Sequence, residues 1–83
     1  MRWIVYLLTA PGRTYVGITT DLERRVEQHN GKRRGGARST RAGRPWRVAA
    51  RWGPFPSRSE ALRVEHRLKQ LRGERRLAWQ PGA

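Results

Sequence analysis

The chain has 83 residues, in which 19 Lys and Arg stand against 6 Asp and Glu, giving a formal net charge of +13. This length predicts one small domain. Cysteine is absent, which excludes disulfides, thiolate catalysis and cysteine-ligated zinc. The first apolar run, residues 3–8, is too short for a signal peptide, so we expect a cytoplasmic protein.

The basic excess predicts a polyanionic partner, and nucleic acid is the partner we favour, DNA before RNA. Most of the basic residues are Arg, whose planar guanidinium binds phosphate with two parallel hydrogen bonds. Charge alone does not distinguish a nuclease from a ribosomal or architectural binding protein. The alternative to a polyanionic partner is that the basic residues form a solvated surface without a specific function. A membrane partner is not expected, because the sequence lacks a basic amphipathic helix with exposed aromatic residues. We expect a monomer or a weak dimer.

Two strands with a tight turn open the chain. Residues 2–9 are β-branched and aromatic on both faces, which is typical of a central strand covered on both sides. Pro11 and Gly12 suit the central positions of a type II turn. Residues 14–18 then form a second strand, so the sequence predicts a β-hairpin.

The hairpin register brings two tyrosines to one face. With Pro11 and Gly12 as the only loop residues, Tyr6 lies opposite Gly17 and Tyr15 lies opposite Leu8. Glycine opposite Tyr6 leaves room for a close approach to the backbone. The two tyrosines are therefore either core residues or the hydroxyl groups of a site.

The hydrophobic period changes to that of a helix over residues 19–30. The run from Thr20 to Glu23 matches a capping box. Leu22, Val26 and His29 fall on one helical face. His29 is therefore either a satisfied core histidine or a functional one.

Arg25 lies four residues before His29 and thus beside it on the helix. Its charge stands next to the buried stripe, where it could reach a phosphate near the second strand. The alternative is a guanidinium that extends from the helix edge into water. Arg24 points about 100° away from Arg25 and is the solvent-facing arginine of the pair.

Residues 30–45 form a basic, glycine-rich segment without a large apolar residue, which predicts a mobile, solvent-facing loop with a short helix around residues 37–41. The candidate nucleic-acid contacts in it are Lys32, Arg33, Arg34, Arg38, Arg41 and Arg44.

A third strand is predicted over residues 46–52, closed by Gly53 and Pro54. Ser57 or Ser59 can cap the helix that follows. The apolar stripe of this helix comprises Ala61, Val64, Leu68 and Leu71.

Glu65 lies on that apolar stripe of an otherwise basic helix. An ionised carboxylate in this position costs several kcal/mol unless it is paired or binds a metal. It therefore pairs with an arginine, or it holds a hard divalent cation whose other ligands are water and substrate phosphate.

The predicted fold is α+β, a small three-stranded antiparallel sheet flanked by helices in the order β-β-α-(short α)-β-α. One domain spans residues 1–83, with its core in residues 2–72. Gly73 ends the last long helix, and residues 73–83 form a short tail with one helical turn at residues 74–79.

These motifs resemble the GIY-YIG nuclease superfamily, and within it a small stand-alone bacterial branch filed as an uncharacterised protein family. Ile4-Val5-Tyr6 stands where the family has Gly-Ile-Tyr, and Tyr15-Val16-Gly17 stands for Tyr-Ile-Gly. The run from Gly17 to Asn30 and the segment Ala61 to Lys69 are similar to that branch. The resemblance covers roughly residues 2–72.

The resemblance implies a one-metal endonuclease. Arg25, ten residues after the second motif tyrosine, would bind the scissile phosphate, and Glu65 would hold Mg²⁺ or Mn²⁺. A tyrosine, Tyr6 slightly ahead of Tyr15, would activate water. Ile18 stands where some relatives have Lys, so this activation would depend on His29.

We therefore expect a Mg²⁺- or Mn²⁺-dependent DNA endonuclease that senses structure or strandedness rather than sequence, as used in repair or recombination. The alternative is a non-catalytic nucleic-acid-binding protein with the same fold, in which Trp46 and Trp52 stack on bases. Their intervals suit core positions better than stacking.

Overall fold

A computed structural model describes residues 2–81. Met1, Gly82 and Ala83, which belong to the ends of the predicted domain, lie outside the described residues. The elements in chain order are β1 Trp3–Ala10, β2 Arg13–Thr19, α1 Leu22–His29, a 3₁₀ helix Arg38–Gly43, β3 Arg47–Phe55, α2 Arg58–Lys69 and α3 Glu74–Ala78. The predicted α+β fold with a three-stranded antiparallel sheet is confirmed.

The sheet has the strand order β2-β1-β3, so that β1 is central and both of its neighbours are edge strands. The predicted hairpin register is confirmed, since Tyr6 pairs with Gly17 and Leu8 pairs with Tyr15. Gly12 has φ of +70°, a conformation that glycine adopts without strain. The two-residue turn thus places both tyrosines on one sheet face.

The two faces of β1 are buried in different clusters. Val5 and Leu7 pack against α2 with the residues of one cluster: Val16, Trp52, Ala61 and Leu68. Tyr6 and Leu8 belong to the opposite cluster, which is closed by Ala10, Trp46, Tyr15, Leu22 and Val26. Burial on both sides explains why β1 lacks the alternation of polar and apolar residues that a half-exposed strand shows.

Several predicted boundaries are wrong. The last long helix ends at Lys69, with Gln70 as its C-cap, and not at Gly73. The N-cap of α1 is Asp21, whose carboxylate accepts from the Arg24 amide at 3.1 Å, and not Thr20. The third strand begins at Arg47 and continues to Phe55 instead of closing at Gly53-Pro54. An edge strand tolerates Pro54, because one row of its amides has no partner strand. Ser57 caps α2, as one of the two predicted serines.

The segment predicted as a tail packs onto the core instead. Its helix α3 begins after Gly73, and Trp79 packs against the cluster around Trp52, whose indole N–H donates to the Trp79 carbonyl at 3.2 Å. Arg76 donates to the carbonyl of Leu71 at 2.8 Å and to the Thr14 hydroxyl at 2.8 Å. Residues 73–79 therefore tie α2 to β2.

Candidate active site

A tyrosine from β1 and the last residue of α1 meet inside the protein. The Tyr6 hydroxyl oxygen lies 2.8 Å from Nε2 of His29. Both residues are 0% exposed. His29 is thus a satisfied core histidine, and its partner is one of the two motif tyrosines.

Tyr15 packs on the same histidine from the side of β2. Its ring centroid is 4.7 Å from that of His29 and 6.3 Å from that of Tyr6. The Tyr15 hydroxyl has no hydrogen-bond partner within residues 2–81, and no buried side-chain polar atom there lacks one. The Tyr15 hydroxyl therefore reaches solvent, whereas the Tyr6 hydroxyl is buried.

Gly17 makes this arrangement of tyrosines possible. A Cβ atom at position 17 would lie 2.5 Å from the Tyr6 hydroxyl oxygen and 3.1 Å from the Tyr15 ring. Any side chain would therefore displace Tyr6 from the position in which it meets His29. The glycine of the second motif serves close packing here, since its backbone needs no unusual φ.

Arg25 stands beside this pair at the edge of α1. Its Nη1 donates to the Gln28 side chain at 2.8 Å and to the Gly35 carbonyl at 2.6 Å. The side chain is half-buried, while that of Arg24 is exposed. The two arginines differ as the helical geometry predicts.

Burial sets the protonation of the pair. It raises the pKa of Tyr6 to about 12, with further contributions from nearby Tyr15 and Glu65 and an opposing one from Arg25. Burial, and then the charge of Arg25, lowers the pKa of His29 to about 4. Both residues are therefore neutral at pH 7, and the charges of Arg25 and Glu65 both act on the Tyr6 hydroxyl.

Glu65 has a largely buried side chain, 17% exposed, whose nearest cation is the Lys69 ammonium at 3.5 Å. The predicted alternative of an arginine partner is wrong for the described part of the chain, residues 2–81, where the ion pair of Glu65 is with Lys69. Among residues 2–81, no three His, Cys, Asp or Glu side chains come together as a metal site. The donor set fits a divalent cation held by one carboxylate and completed by water and substrate phosphate.

The six basic residues predicted as nucleic-acid contacts fall into two groups. Arg33 forms a 2.8 Å ion pair with Glu27, and Arg44 donates to the His29 carbonyl at 2.8 Å. The other four are exposed, and their side chains make no hydrogen bond or ion pair within residues 2–81. These are Lys32, Arg34, Arg38 and Arg41.

The basic loop also contains a residue that sequence reasoning missed. Thr40 is 0% exposed, and its hydroxyl lies 2.9 Å from Nδ1 of His29. The side chain of Asn30 makes two hydrogen bonds to the backbone of Trp46, at 2.6 and 3.0 Å. The loop is therefore anchored at its middle and its end, and is not a wholly solvent-facing segment. A lone threonine among Arg and Gly gives no sequence signal for burial.

Trp46 and Trp52 are both buried, at 3% and 7% exposure. The stacking role that the alternative hypothesis assigns to them is wrong, because neither ring is available to a base. Trp46 packs edge-on to Tyr15, with the ring centroids 6.5 Å apart. Trp46 therefore supports the tyrosine face from within the core, whereas Trp52 belongs to the cluster on the opposite face of the sheet.

The GIY-YIG catalytic domain, as a family, matches residues 2–78 of this chain. The chain belongs to the GIY-YIG family. The predicted resemblance is confirmed, and its extent reaches beyond the predicted core to include α3. Membership indicates nuclease-type activity and binding of nucleic acid.

Similar GIY-YIG relatives are bacterial UPF0213 proteins. One from Xanthomonas campestris pv. campestris is 49% identical over 78 residues, covering 93% of this chain and 74% of the relative. Another, from Nitratidesulfovibrio vulgaris, is 46% identical over 77 residues, covering 92% and 67%. The solution NMR structure of the UPF0213 protein BH0048 from Bacillus halodurans has 42% identity and a TM-score of 0.52, covering 90% of this chain and 78% of that one.

Within residues 2–81 of this GIY-YIG domain, no helix combines the length and apolar character that crossing a membrane requires.

Proposed function

We propose that the protein is a divalent-metal-dependent endonuclease that hydrolyses phosphodiester bonds in DNA. The observation that carries the proposal is the Tyr15 ring packed on the buried Tyr6–His29 pair, with the charges of Arg25 and Glu65 both acting on the Tyr6 hydroxyl. Phosphodiester hydrolysis needs a group that orients or deprotonates water, a cation for the phosphate charge and a metal for the leaving oxygen.

Tyr15 is the tyrosine that we assign to the attacking water, in place of the expected Tyr6. Its hydroxyl reaches solvent, whereas Tyr6 is fully buried with its pKa raised to about 12. A general base must come within hydrogen-bond reach of the proton that it removes. The rings of Tyr6 and His29 pack on the Tyr15 ring and hold it in place. Their centroids lie 6.3 Å and 4.7 Å from that of Tyr15, respectively.

Arg25 is assigned to the scissile phosphate, because it is half-buried beside the tyrosines and carries a charge that burial makes more effective. Glu65 would hold the Mg²⁺ or Mn²⁺ ion, which supplies Lewis-acid stabilisation of the developing oxyanion. The Lys69 ammonium lies 3.5 Å from the same carboxylate.

We infer selection by structure or strandedness from the outer surface of α1 and its N-cap, where three acidic residues stand beside the exposed Arg24. Asp21 and Glu23 are exposed there, and Glu27 is half-buried. These carboxylates repel phosphate, which disfavours insertion of this helix into a DNA groove, where base edges are read. Phosphate contacts from the loop then carry the affinity without reading sequence.

Cleavage of supercoiled plasmid and of a single-stranded oligonucleotide tests the proposal, with Mg²⁺, Mn²⁺, Ca²⁺ or chelator in parallel. We expect cutting with Mg²⁺ or Mn²⁺ and a loss of about 10²-fold or more in Glu65→Gln, since the metal would lose its protein ligand. Glu60→Gln is the matched control, because Glu60 lies exposed in the first turn of the same helix.

Wild-type protein that binds DNA but cuts it with none of these ions would overturn the proposal and leave a non-catalytic binding protein. Equal loss of cutting in the two glutamate variants would overturn the assignment of the metal to Glu65.

A further inference from the structure

Thr40 is a buried residue of the basic loop whose hydroxyl makes two contacts. The hydroxyl oxygen lies 2.7 Å from the Ala37 carbonyl oxygen and 2.9 Å from Nδ1 of His29. A carbonyl oxygen can only accept, so the Thr40 hydroxyl donates its single proton to Ala37. Towards His29 the same oxygen is left with lone pairs and can only accept.

The direction of this hydrogen bond fixes the proton on the histidine ring. Because Thr40 accepts, Nδ1 of His29 carries the hydrogen. A neutral ring has one N–H, so Nε2 carries a lone pair. The Tyr6 hydroxyl, 2.8 Å from Nε2, therefore donates its proton to His29.

We propose that Thr40 is a positioning residue of the site, which holds His29 in its Nδ1–H tautomer and thereby turns the hydroxyl proton of Tyr6 inward. The catalytic consequence rests on the proposed nuclease function, while the tautomer itself is a property of the free protein.

The direction of the Tyr6 hydroxyl proton determines what the Tyr6 oxygen presents to Arg25. Its guanidinium approaches Tyr6 closely enough to lower the pKa of the hydroxyl, although its well-formed hydrogen bonds go to Gln28 and Gly35. With the proton on the His29 side, the Tyr6 oxygen presents only lone pairs to Arg25. In the other tautomer, Nε2–H of His29 would donate to the Tyr6 oxygen. The Tyr6 hydroxyl proton would then point towards the Arg25 guanidinium, which can only donate.

Thr40 is itself held by a closed set of hydrogen bonds. The Trp46 indole N–H donates to the Thr40 carbonyl at 2.6 Å. Asn30, the residue after His29, accepts from the Trp46 amide at 2.6 Å and donates to its carbonyl at 3.0 Å. The loop thus folds back onto the end of α1, where the Thr40 hydroxyl contacts the imidazole ring of His29.

Long-range ¹⁵N NMR of histidine side chains in the free protein tests the tautomer directly, with His66→Gln used to assign the two histidines. We expect His29 to be protonated at Nδ1 in wild type at neutral pH. Thr40→Val, which keeps the shape but removes the acceptor, should shift the population towards Nε2–H. Thr40→Ser should restore the wild-type tautomer, and Ser39→Ala, an exposed neighbour, should leave it unchanged.

An Nε2–H tautomer in the wild type would overturn the proposal, and this result needs no variant to fold. An unchanged tautomer in folded Thr40→Val would overturn it as well.

Cleavage kinetics test the positioning role. We expect Thr40→Val to lower kcat about 10- to 100-fold with KM little changed, and Thr40→Ser to restore it. Thr40→Val that switches the tautomer but cuts at the wild-type rate would overturn the positioning role. A wild type that does not cut refutes the proposed function, while the NMR result still decides what Thr40 does to His29.

Discussion

The Tyr6 hydroxyl lies 2.8 Å from Nε2 of His29, although 23 positions separate the two residues in the chain. This contact joins the central strand to the end of α1 inside the core, and both partners are fully buried. The same pair contacts Tyr15, whose hydroxyl reaches solvent. Two motif tyrosines that look equivalent in the sequence are therefore expected to behave differently when they are changed.

Tyr6→Phe should lower stability, and Tyr15→Phe should lower activity. Removing the Tyr6 hydroxyl leaves Nε2 of His29 buried without a donor, which costs about 1–3 kcal/mol. The Tyr15 hydroxyl reaches solvent and has no hydrogen-bond partner within residues 2–81, so its removal should change the free energy of unfolding by less than about 0.5 kcal/mol. Urea unfolding and DNA cleavage of both variants give the comparison.

Equal destabilisation by the two substitutions would contradict the buried and exposed assignments. Full cleavage activity in Tyr15→Phe would contradict the proposed role of Tyr15 in orienting water.

Stability should fall as the pH drops below about 6.5, because of His29. Its folded-state pKa of about 4 lies below the ordinary value of 6.5, so the unfolded chain binds the proton first. The contribution is fully present above pH 6.5 and is lost progressively as the pH falls to 4, by about 3 kcal/mol in all. Urea unfolding between pH 7 and pH 5 measures the upper part of this window.

His66 provides the control for the pH experiment, because it is exposed on α2. His66→Gln should keep the wild-type slope between pH 7 and pH 5, and His29→Gln should flatten it. A steep slope in folded His29→Gln would assign the effect to other groups.

Arg25 and Arg24 provide a matched pair on α1. Arg25→Gln should reduce cleavage about 10²-fold or more, since a charge aimed at the phosphate acts on the transition state. Arg24→Gln removes the same formal charge from an exposed position and should keep most of the activity. Single-turnover cleavage at saturating protein separates the loss of chemistry from a loss of binding. Similar losses in both variants would mean that only net charge matters.

The sequence predicted the parts of the site that depend on local geometry. A two-residue Pro-Gly loop determines the hairpin register, and hence the common face of Tyr6 and Tyr15. The 3.6-residue period separated Arg24 from Arg25 and placed Glu65 on the stripe of α2 that faces the sheet.

The features of the site and the fold that the sequence did not predict depend on contacts between segments that are distant in the chain. Thr40 meets His29 across 11 positions, and Asn30 meets Trp46 across 16, inside a loop with no period to read. Trp79 packs against Trp52, which lies 27 positions earlier in the chain. This contact makes the predicted tail part of the core. The capping box was misplaced because Thr20 and Asp21 are both good caps, and only the backbone conformation chooses between them.

DNA affinity should fall steeply with salt, because each phosphate contact releases condensed counterions. Within the basic loop, the structure distinguishes exposed side chains without a partner from those already engaged. Arg34→Gln, Arg38→Gln or Arg41→Gln should each reduce the slope of log K against log salt by about 1 if that residue contacts a phosphate. Arg33→Gln should change it less, because Arg33 is paired with Glu27 at 2.8 Å.

Arg44 is the informative case in the same series. Its guanidinium donates to the His29 carbonyl at 2.8 Å, so Arg44→Gln should destabilise the end of α1 more than it changes the salt slope. Measuring both the salt slope and the urea midpoint for each variant separates the two effects. If no substitution between positions 32 and 44 changes the salt slope, the DNA-binding surface lies outside this loop. The exposed arginines of α2 then become the candidates. A slope change in Arg44→Gln equal to that in Arg38→Gln would mean that the contact with His29 opens when DNA binds.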